Sequence, residues 1–386
     1  GILATLSVIG VYVSITAGAE PAVKPNIVLI LADDLGYGDV QRLNPERGKI
    51  KTPFIDKLAL QGMAFTNAHS GSSVCTPTRY GLLIGRYAWR TRLQKGVLDN
   101  YVEPLIAKDR ITLPGFLQGQ GYHTACVGKW HLGTRPAFFP TRRGFDEWCG
   151  LPYSNDNGPL HPTIKGIPAL PLYTNDDVTA KDPDQSTFTK LFTDKAVAFI
   201  EANANRPFFL YVPHVMPHVP IAASEKFKGK SKRGLYGDTV MELDDSVGRI
   251  LKALKDHELD RNTLVIFMSD NGPFLSYGSH AGSAGPFREG KLTTFEGGVR
   301  VPFLVRWVDR VPHDSVRGDF LTGLDLLPSI ARIVGAKMPN VKTDGIELAD
   351  LLLNGPQDVK RETFAYYSGD ELHAVRMGKW KLHLPH

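Results

Sequence analysis

The stretch Asn26 to Ala32, Asn-Ile-Val-Leu-Ile-Leu-Ala, constrains the fold more than any other part of the sequence. A strand with one face in water alternates apolar and polar side chains, whereas an unbroken apolar run of strand length suits a strand covered on both faces. Similar runs recur at Phe208 to Val212 and Leu264 to Met268, with weaker ones at His123 to Val127 and Pro302 to Val305. Helical patterns lie between them, over Phe54 to Gln61, Pro77 to Ile84, Leu113 to Gln118, Thr187 to Ala204 and Tyr236 to His257. Such alternation predicts an α/β fold, a large mainly parallel sheet sandwiched by helices. The chain has 386 residues and is 42% apolar, enough for a substantial core and against disorder or a fibre. Asn155 to Asp184 is rich in Pro, Asn and Asp, has no clear period, and is expected to be a long loop. After about Gly335 the pattern breaks into short amphipathic pieces, and Ala374 to Leu382 reads as a strand pair. The expected division is therefore a main domain over 24–335 and a smaller C-terminal subdomain over 336–386, its sheet cut short at His386.

Residues Gly1 to Ala19 carry no charge and end in Ala17-Gly18-Ala19, small residues of the kind a signal peptidase requires. We read residues 1–19 as a secretory signal, so the chain is expected to be exported (periplasmic, extracellular or lumenal), with no membrane span once mature. The competing reading is a membrane anchor, because 19 uncharged residues approach the spanning length. A formal net charge of +5 gives no argument for nucleic acid. The three cysteines, Cys75, Cys126 and Cys149, are too few for a disulfide scaffold, and no two form a Cys-x-x-Cys pair, which disfavours a cysteine zinc site.

In open α/β sheets, ligands gather beyond the carboxyl ends of the strands. Four expected strand ends here are followed by polar clusters: Asp33-Asp34, then Gly128-Lys129-Trp130-His131, then His214 and His218, then Asp270-Asn271. Alone, Asp33-Asp34 would be read as a turn cap. A second acidic cluster at an equivalent strand end favours a site for a hard cation, Ca2+ or Mg2+, with Asp33, Asp34, Asp270 and Asn271 as oxygen ligands. The sharpest local feature is Cys75-Thr76-Pro77-Thr78-Arg79. Pro77 suits a first helical turn and Leu82, Leu83 and Ile84 are expected to be buried, which puts Cys75 at a helix N-terminus that favours anions. A lone cysteine is more often a small buried hydrophobe. Arg79 one turn on, and Gly71-Ser72-Ser73 before it, fit that role poorly.

Cys75-Thr76-Pro77-Thr78-Arg79, continued by Tyr80-Gly81-Leu82-Leu83-Ile84 and Gly85-Arg86, resembles the signature of the type I sulfatases of the arylsulfatase A kind. Further motifs follow the order of that family: Leu31 to Asp39, Gly128 to Gly133, Pro152 to Asp156, Pro217 to Pro220, Ser269 to Gly272 and Gly290 to Gly298. The resemblance implies an alkaline-phosphatase-like fold. It implies that Cys75 becomes formylglycine through a formylglycine-generating enzyme, and that formylglycine 75 joins Asp33, Asp34, Asp270 and Asn271 on the metal, with Ca2+ favoured over Mg2+. By position it implies that Lys129 and Lys291 bind sulfate oxygens and that Arg79 orients the nucleophile and carboxylates. It further makes His131 the base for sulfate elimination and His218 the acid for the leaving oxygen. Ser154, His214 and His280 are expected to contact substrate. Cys126 and Cys149, where relatives carry apolar residues, are expected to be buried thiols.

The expected activity is hydrolysis of O-sulfate esters on a carbohydrate or aryl group. The alternatives are a phosphodiester or phosphonate monoester hydrolase of the same superfamily, and a glycan-binding relative without activity. No motif residue is lost that would favour the last.

Overall fold

The computed structural model describes residues 24–94, 96–98, 105–355 and 358–385, so the expected signal segment 1–19 lies outside the described residues. Among the described residues, fifteen strands follow in chain order. They are β1 (Asn26–Ala32), β2 (Met63–Phe65), β3 (Ala68–His69), β4 (His123–Lys129), β5 (Glu147–Leu151), β6 (Pro171–Thr174), β7 (Asp177–Lys181), β8 (Phe208–Pro213), β9 (Thr263–Ser269), β10 (Phe303–Arg306), β11 (Ser315–Arg317), β12 (Leu321–Thr322), β13 (Thr363–Ser368), β14 (Glu371–Met377) and β15 (Trp380–His383). The α-helices are α1 (Pro53–Leu60), α2 (Cys75–Ile84), α3 (Leu113–Gly119), α4 (Phe188–Ala202), α5 (Leu235–Asp256), α6 (Glu296–Val299), α7 (Leu326–Ile333) and α8 (Ala349–Leu352).

Ten strands form one sheet in the order β11-β2-β10-β9-β1-β8-β4-β5-β6-β7. Its centre, β9-β1-β8-β4-β5, is parallel throughout. Strand β10 joins antiparallel on one side and β6 on the other. The unbroken apolar run of β1 is explained by its period of two. Ile27, Leu29 and Leu31 enter a core shared with α2, α3 and α7, while Val28, Ile30 and Ala32 enter a second core shared with α1, α4 and α5. Residues Val240, Leu243, Val247, Ile250 and Leu254 form one buried stripe along α5 at helical spacing. This is the sandwiched, mainly parallel sheet that the sequence implies.

The segment 155–184 is not all loop. Strands β6 and β7 pair within it as an antiparallel hairpin that closes one edge of the sheet. Most of β7 is exposed, and a solvated edge strand needs no apolar run to mark it. Cys126 lies beside Trp148 and Cys149 beside Val127 in the β4–β5 register, so the two thiols point to opposite faces of the sheet. Both are buried and unbonded.

Strands β13-β14-β15 form a separate antiparallel sheet. Leu348, Leu351 and Leu352, which precede it, belong to the first core. Phe364, Tyr366 and Ala374 of the small sheet pack with Val299 and Leu324 of the main body. No helix among the described residues is long and apolar enough to cross a membrane.

Candidate active site

The carboxyl ends of β1, β4, β5, β8 and β9 open onto one rim, and α2 points its N-terminus at it. The strands approach closely there. A Cβ on Gly128, at φ +135°, would stand 2.0 Å from the Pro213 carbonyl oxygen, so only glycine lets β4 and β8 deliver their terminal residues side by side. Asp34 and His131 adopt left-handed backbone angles, φ 65° and 59°. Non-glycine residues held this way cluster at functional sites.

Arg79, fully buried, reaches back along α2 into the rim. Its Nη2 donates to Asp33 Oδ2 at 3.1 Å and to Asp270 Oδ2 at 2.9 Å, Nε donates to Asp270 Oδ2 at 3.1 Å, and Nη1 donates to the Lys129 carbonyl at 2.7 Å. Lys129 Nζ donates to Asp33 Oδ2 and, at 3.1 Å, to Ser154 Oγ. Lys291 Nζ lies 2.7 Å from Asp34 Oδ1 and 2.9 Å from Asp34 Oδ2, over the Phe274 ring. The Asp34 amide donates to Asp270 Oδ1 at 3.2 Å, and Asn271 Nδ2 donates to Asp34 Oδ1 at 2.6 Å. Three carboxylates thus face three cations in a water-excluded space. Burial alone would raise the pKa of Asp33, but Lys129, His218, Arg79 and Lys291 hold it well below the usual carboxylate range. Burial opposes the charge on Lys291, yet Asp34 and its neighbours hold that ammonium protonated more firmly than an ordinary lysine.

Two oxygens in this set have no hydrogen-bond partner among the described residues, Asp33 Oδ1 and Asn271 Oδ1, and both are buried. A buried oxygen without a donor is costly unless something positive meets it. Oxygen donors left over from a carboxylate and an amide are what a hard divalent cation takes. Asp33, Asp34 and His218 also bring ligand atoms within 4.8 Å of one another. The residues present therefore fit a cation at this rim.

Cys75 is the first residue of α2 and is 2% exposed. Burial raises its thiol pKa, with Lys129 and Lys291 pulling in the other direction and Asp33 and Asp270 adding to the rise. The position thus shares its surroundings with both lysines and two of the carboxylates. His131 Nε2 faces the Leu98 carbonyl at 3.3 Å, which makes Nε2 the protonated nitrogen and leaves a lone pair on the buried, unpartnered Nδ1. Burial, with Lys129 and Arg79 nearby, drives its pKa well down, so the ring is a neutral acceptor. His218 Nδ1 donates to the Val219 carbonyl at 2.6 Å, and Nε2 stands 3.8 Å from Asp34 Oδ2. Ser154 Oγ lies 3.5 Å from the His218 ring.

Two expected substrate contacts take no part in this hydrogen-bond network among the described residues. His214 is fully buried and presents Nε2 to Ser246 Oγ of α5 at 3.1 Å, and Ser246 in turn bonds Thr193 of α4. It points into the helical layer because its amide is tied to the Leu31 carbonyl, which fixes the chain direction after β8. His280 is exposed at the end of a short 3-10 segment, Leu275–His280, and has no hydrogen bond or ion pair to the rim among the described residues. Sequence reasoning in turn missed the Leu98 carbonyl and the Phe274 ring under Lys291. Leu98 belongs to no motif.

A family model described as Sulfatase matches residues 25–336. Arylsulfatase A of Bos taurus is 39% identical, the match covering 96% of this chain and 76% of that protein. N-acetylgalactosamine-6-sulfatase of Mus musculus is 37% identical, over 99% of this chain and 75% of its own. A solved structure from Bacteroides thetaiotaomicron, described with the metabolism of multiple glycosaminoglycans, superposes with a TM-score of 0.81 at 30% identity, covering 93% of this chain and 87% of that one.

Proposed function

Because the chain belongs to the sulfatase family, whose members are sulfuric ester hydrolases, we propose that it cleaves the sulfate ester of a sulfated carbohydrate, with position 75 acting in its formylglycine form. The carbohydrate part is supported by the names of two similar proteins, an N-acetylgalactosamine-6-sulfatase and a protein of glycosaminoglycan metabolism. The observation that carries the reading is the rim itself, where Cys75, two buried lysines and two unpartnered oxygens meet. Asp33, Asp34, Asp270 and Asn271 would hold the cation, Ca2+ in preference to Mg2+. Cation and formylglycine hydrate together supply a hydroxyl nucleophile at neutral pH.

The chain's own residues do the rest. Lys129 and Lys291 bind the outer sulfate oxygens and offset the negative charge that grows there during transfer. Ser154 Oγ, between Lys129 and His218, adds a hydrogen bond to the same group. Arg79 fixes Asp33 and Asp270 relative to the N-terminus of α2. His131 accepts a proton at Nδ1, the atom left without a partner. His218 has Nδ1 engaged with a carbonyl, so the proton it passes to the leaving alcohol travels on Nε2. Burial holds that ring neutral at rest, and an arriving sulfate monoanion favours its protonation. Cys75 is too enclosed to be modified after folding, so a formylglycine-generating enzyme would have to meet it in the unfolded chain, in keeping with an exported protein.

Paired assays test the reading. Mature protein is expected to hydrolyse an aryl sulfate faster than an aryl phosphodiester, with intact mass showing conversion at residue 75. Faster turnover of the phosphodiester would overturn it. A panel of defined sulfated saccharides tests the substrate class, and turnover of aryl sulfate with no saccharide cleaved would remove the carbohydrate claim.

A further inference from the structure

The small C-terminal sheet is joined to the main body through a partly buried polar cluster that none of the roles above uses. His69, at the end of β3, is fully buried. Its Nδ1 lies 2.9 Å from the Tyr366 hydroxyl of β13, and its Nε2 lies 3.5 Å from Glu296 Oε2. Lys381 Nζ of β15 donates to Glu296 Oε1 at 3.0 Å and sits over the Tyr366 ring. Arg376 Nη1 of β14 donates to Asn67 Oδ1 at 2.9 Å and approaches His69 Nε2 at 3.4 Å. Arg300 Nη1 completes the set on Glu296 Oε2 at 3.2 Å. Each strand of the small sheet thus contributes one side chain. Burial lowers the pKa of His69 to about 4, so it is neutral beside Arg376 and Lys381. Burial would raise that of Glu296, but His69 and Lys381 hold it ionised.

His69 and Glu296 are near neighbours in sequence of the two groups that matter most at the rim. His69 is six residues before Cys75, and Glu296 is five after Lys291. The two segments are stitched to each other along their length. The Ser70 amide donates to the Val299 carbonyl at 2.8 Å, and the Leu292 amide donates to the Ser73 carbonyl at 3.0 Å. Ser70 Oγ and Thr78 Oγ1 both donate to the Ser72 carbonyl, at 2.7 and 3.0 Å. The His69–Glu296 contact closes this unit at one end, and the Leu292–Ser73 bond closes it beside Cys75 and Lys291.

We propose that His69 and Glu296, gripped by Tyr366, Arg376 and Lys381, are positioning residues through which the C-terminal sheet sets the distance between residue 75 and Lys291. The proposal rests on the sulfatase reading for what those two positions do. It follows from geometry that a loosened grip shifts the lysine relative to the nucleophile without removing either. Displacements of about 1 Å in such pairs cost turnover by as much as about a hundredfold.

The test uses mature, modified protein. Glu296→Gln keeps the shape and removes the charge that Lys381 and Arg300 share. Tyr366→Phe removes one hydroxyl and is the milder variant. With a small aryl sulfate, kcat is expected to fall about tenfold to a hundredfold in Glu296→Gln, and less in Tyr366→Phe, while KM stays within about threefold. Amide exchange should quicken about tenfold in peptides spanning Ser70 to Cys75 and Leu292 to Glu296, and stay unchanged in α4. Arg361→Gln is the control. Arg361 ties the approach to β13 to Asp325 at a different junction, so its loss should lower the melting temperature and leave kcat alone. Kcat within twofold of wild type in both Glu296→Gln and Tyr366→Phe would overturn the proposal, as would an equal loss of kcat in Arg361→Gln. A wild-type protein with no activity on any aryl sulfate would refute the sulfatase reading instead. In that case exchange still tests the grip, and unchanged exchange in Glu296→Gln would overturn it.

Discussion

Two groups of buried carboxylates in this molecule are satisfied differently. In the helical layer, Asp244 of α5 accepts the Phe54 and Ile55 amides at the start of α1, at 3.0 and 2.7 Å. Asp39 accepts the Gly36 and Ser283 amides and the Tyr236 hydroxyl, at 3.1, 2.9 and 2.8 Å. Among the described residues no cation pairs with either one. Burial pushes the first up to about 7 and the second up to about 6. At the rim, Asp33, Asp34 and Asp270 instead face Arg79, Lys129 and Lys291, and oxygens of Asp33 and Asn271 remain unspent. A carboxylate met by amides and hydroxyls fixes one loop against one helix. Burial also raises Asp270, to about 7, so the contrast rests on Asp33, which Lys129, His218 and Arg79 hold ionised. A carboxylate held ionised by full charges, beside buried oxygens that accept nothing, is arranged for a ligand.

The largest expected effect follows from removing the nucleophile from the rim. Cys75→Ala should lower kcat by about a thousandfold or more. Its melting temperature should stay close to that of wild type, because the Cys75 side chain makes no hydrogen bond among the described residues and alanine keeps the helical backbone. Steady-state kinetics and a thermal melt on the same preparation check this. Activity within tenfold of wild type would show that the chemistry lies elsewhere and that the rim is ordinary ion pairing.

The unspent oxygens make a second, smaller prediction. A cation that binds the folded chain alone stabilises it by about 2.7 kcal/mol at a hundredfold excess over its Kd. Added Ca2+ should raise the melting temperature of chelator-treated wild type and should not raise that of Asp270→Asn. A wild-type midpoint indifferent to Ca2+ would break the contrast with Asp39 and Asp244. It would mean that the rim's three cations already suffice.

Much of this was legible in the sequence, for identifiable reasons. The apolar run of β1 showed its two-sided burial because the strand is central, whereas β7 was hidden because an exposed edge has no such pattern. Asp33, Asp34, Lys129, His131, Asp270 and Asn271 could be placed together because each ends or closely follows a strand, and parallel strands deliver their ends to one side. His214 shares that position and yet faces Ser246, since its direction is set by a backbone bond that no motif records. That Cys126 and Cys149 face opposite sides of the sheet needed the β4–β5 register. The His69–Glu296 cluster joins residues more than two hundred positions apart, and the third partner comes from a sheet whose strands have weak patterns.

The smallest effect concerns Asp244, and its sign can be worked out. Its pKa is about 7 in the folded chain and 3.8 ordinarily, so the folded state holds the proton more tightly. Below about pH 4 both states are protonated and the contribution is fully present. Between pH 4 and 7 the unfolded chain releases the proton while the folded chain keeps it, and stability declines by about 1.4 kcal/mol for each unit of that gap. Above about pH 7 the loss is complete. Asp244→Asn keeps an acceptor oxygen for the Phe54 and Ile55 amides and cannot ionise. Its stability relative to wild type should therefore rise from pH 5 to about pH 7 and level off by pH 8, as read by urea unfolding at each pH. Contributions from Asp39 cancel in that difference, because both proteins carry it. A difference that stays flat with pH would mean that the amides of α1 hold Asp244 ionised throughout, and the helical layer would then resemble the rim more closely than its neutral partners suggest.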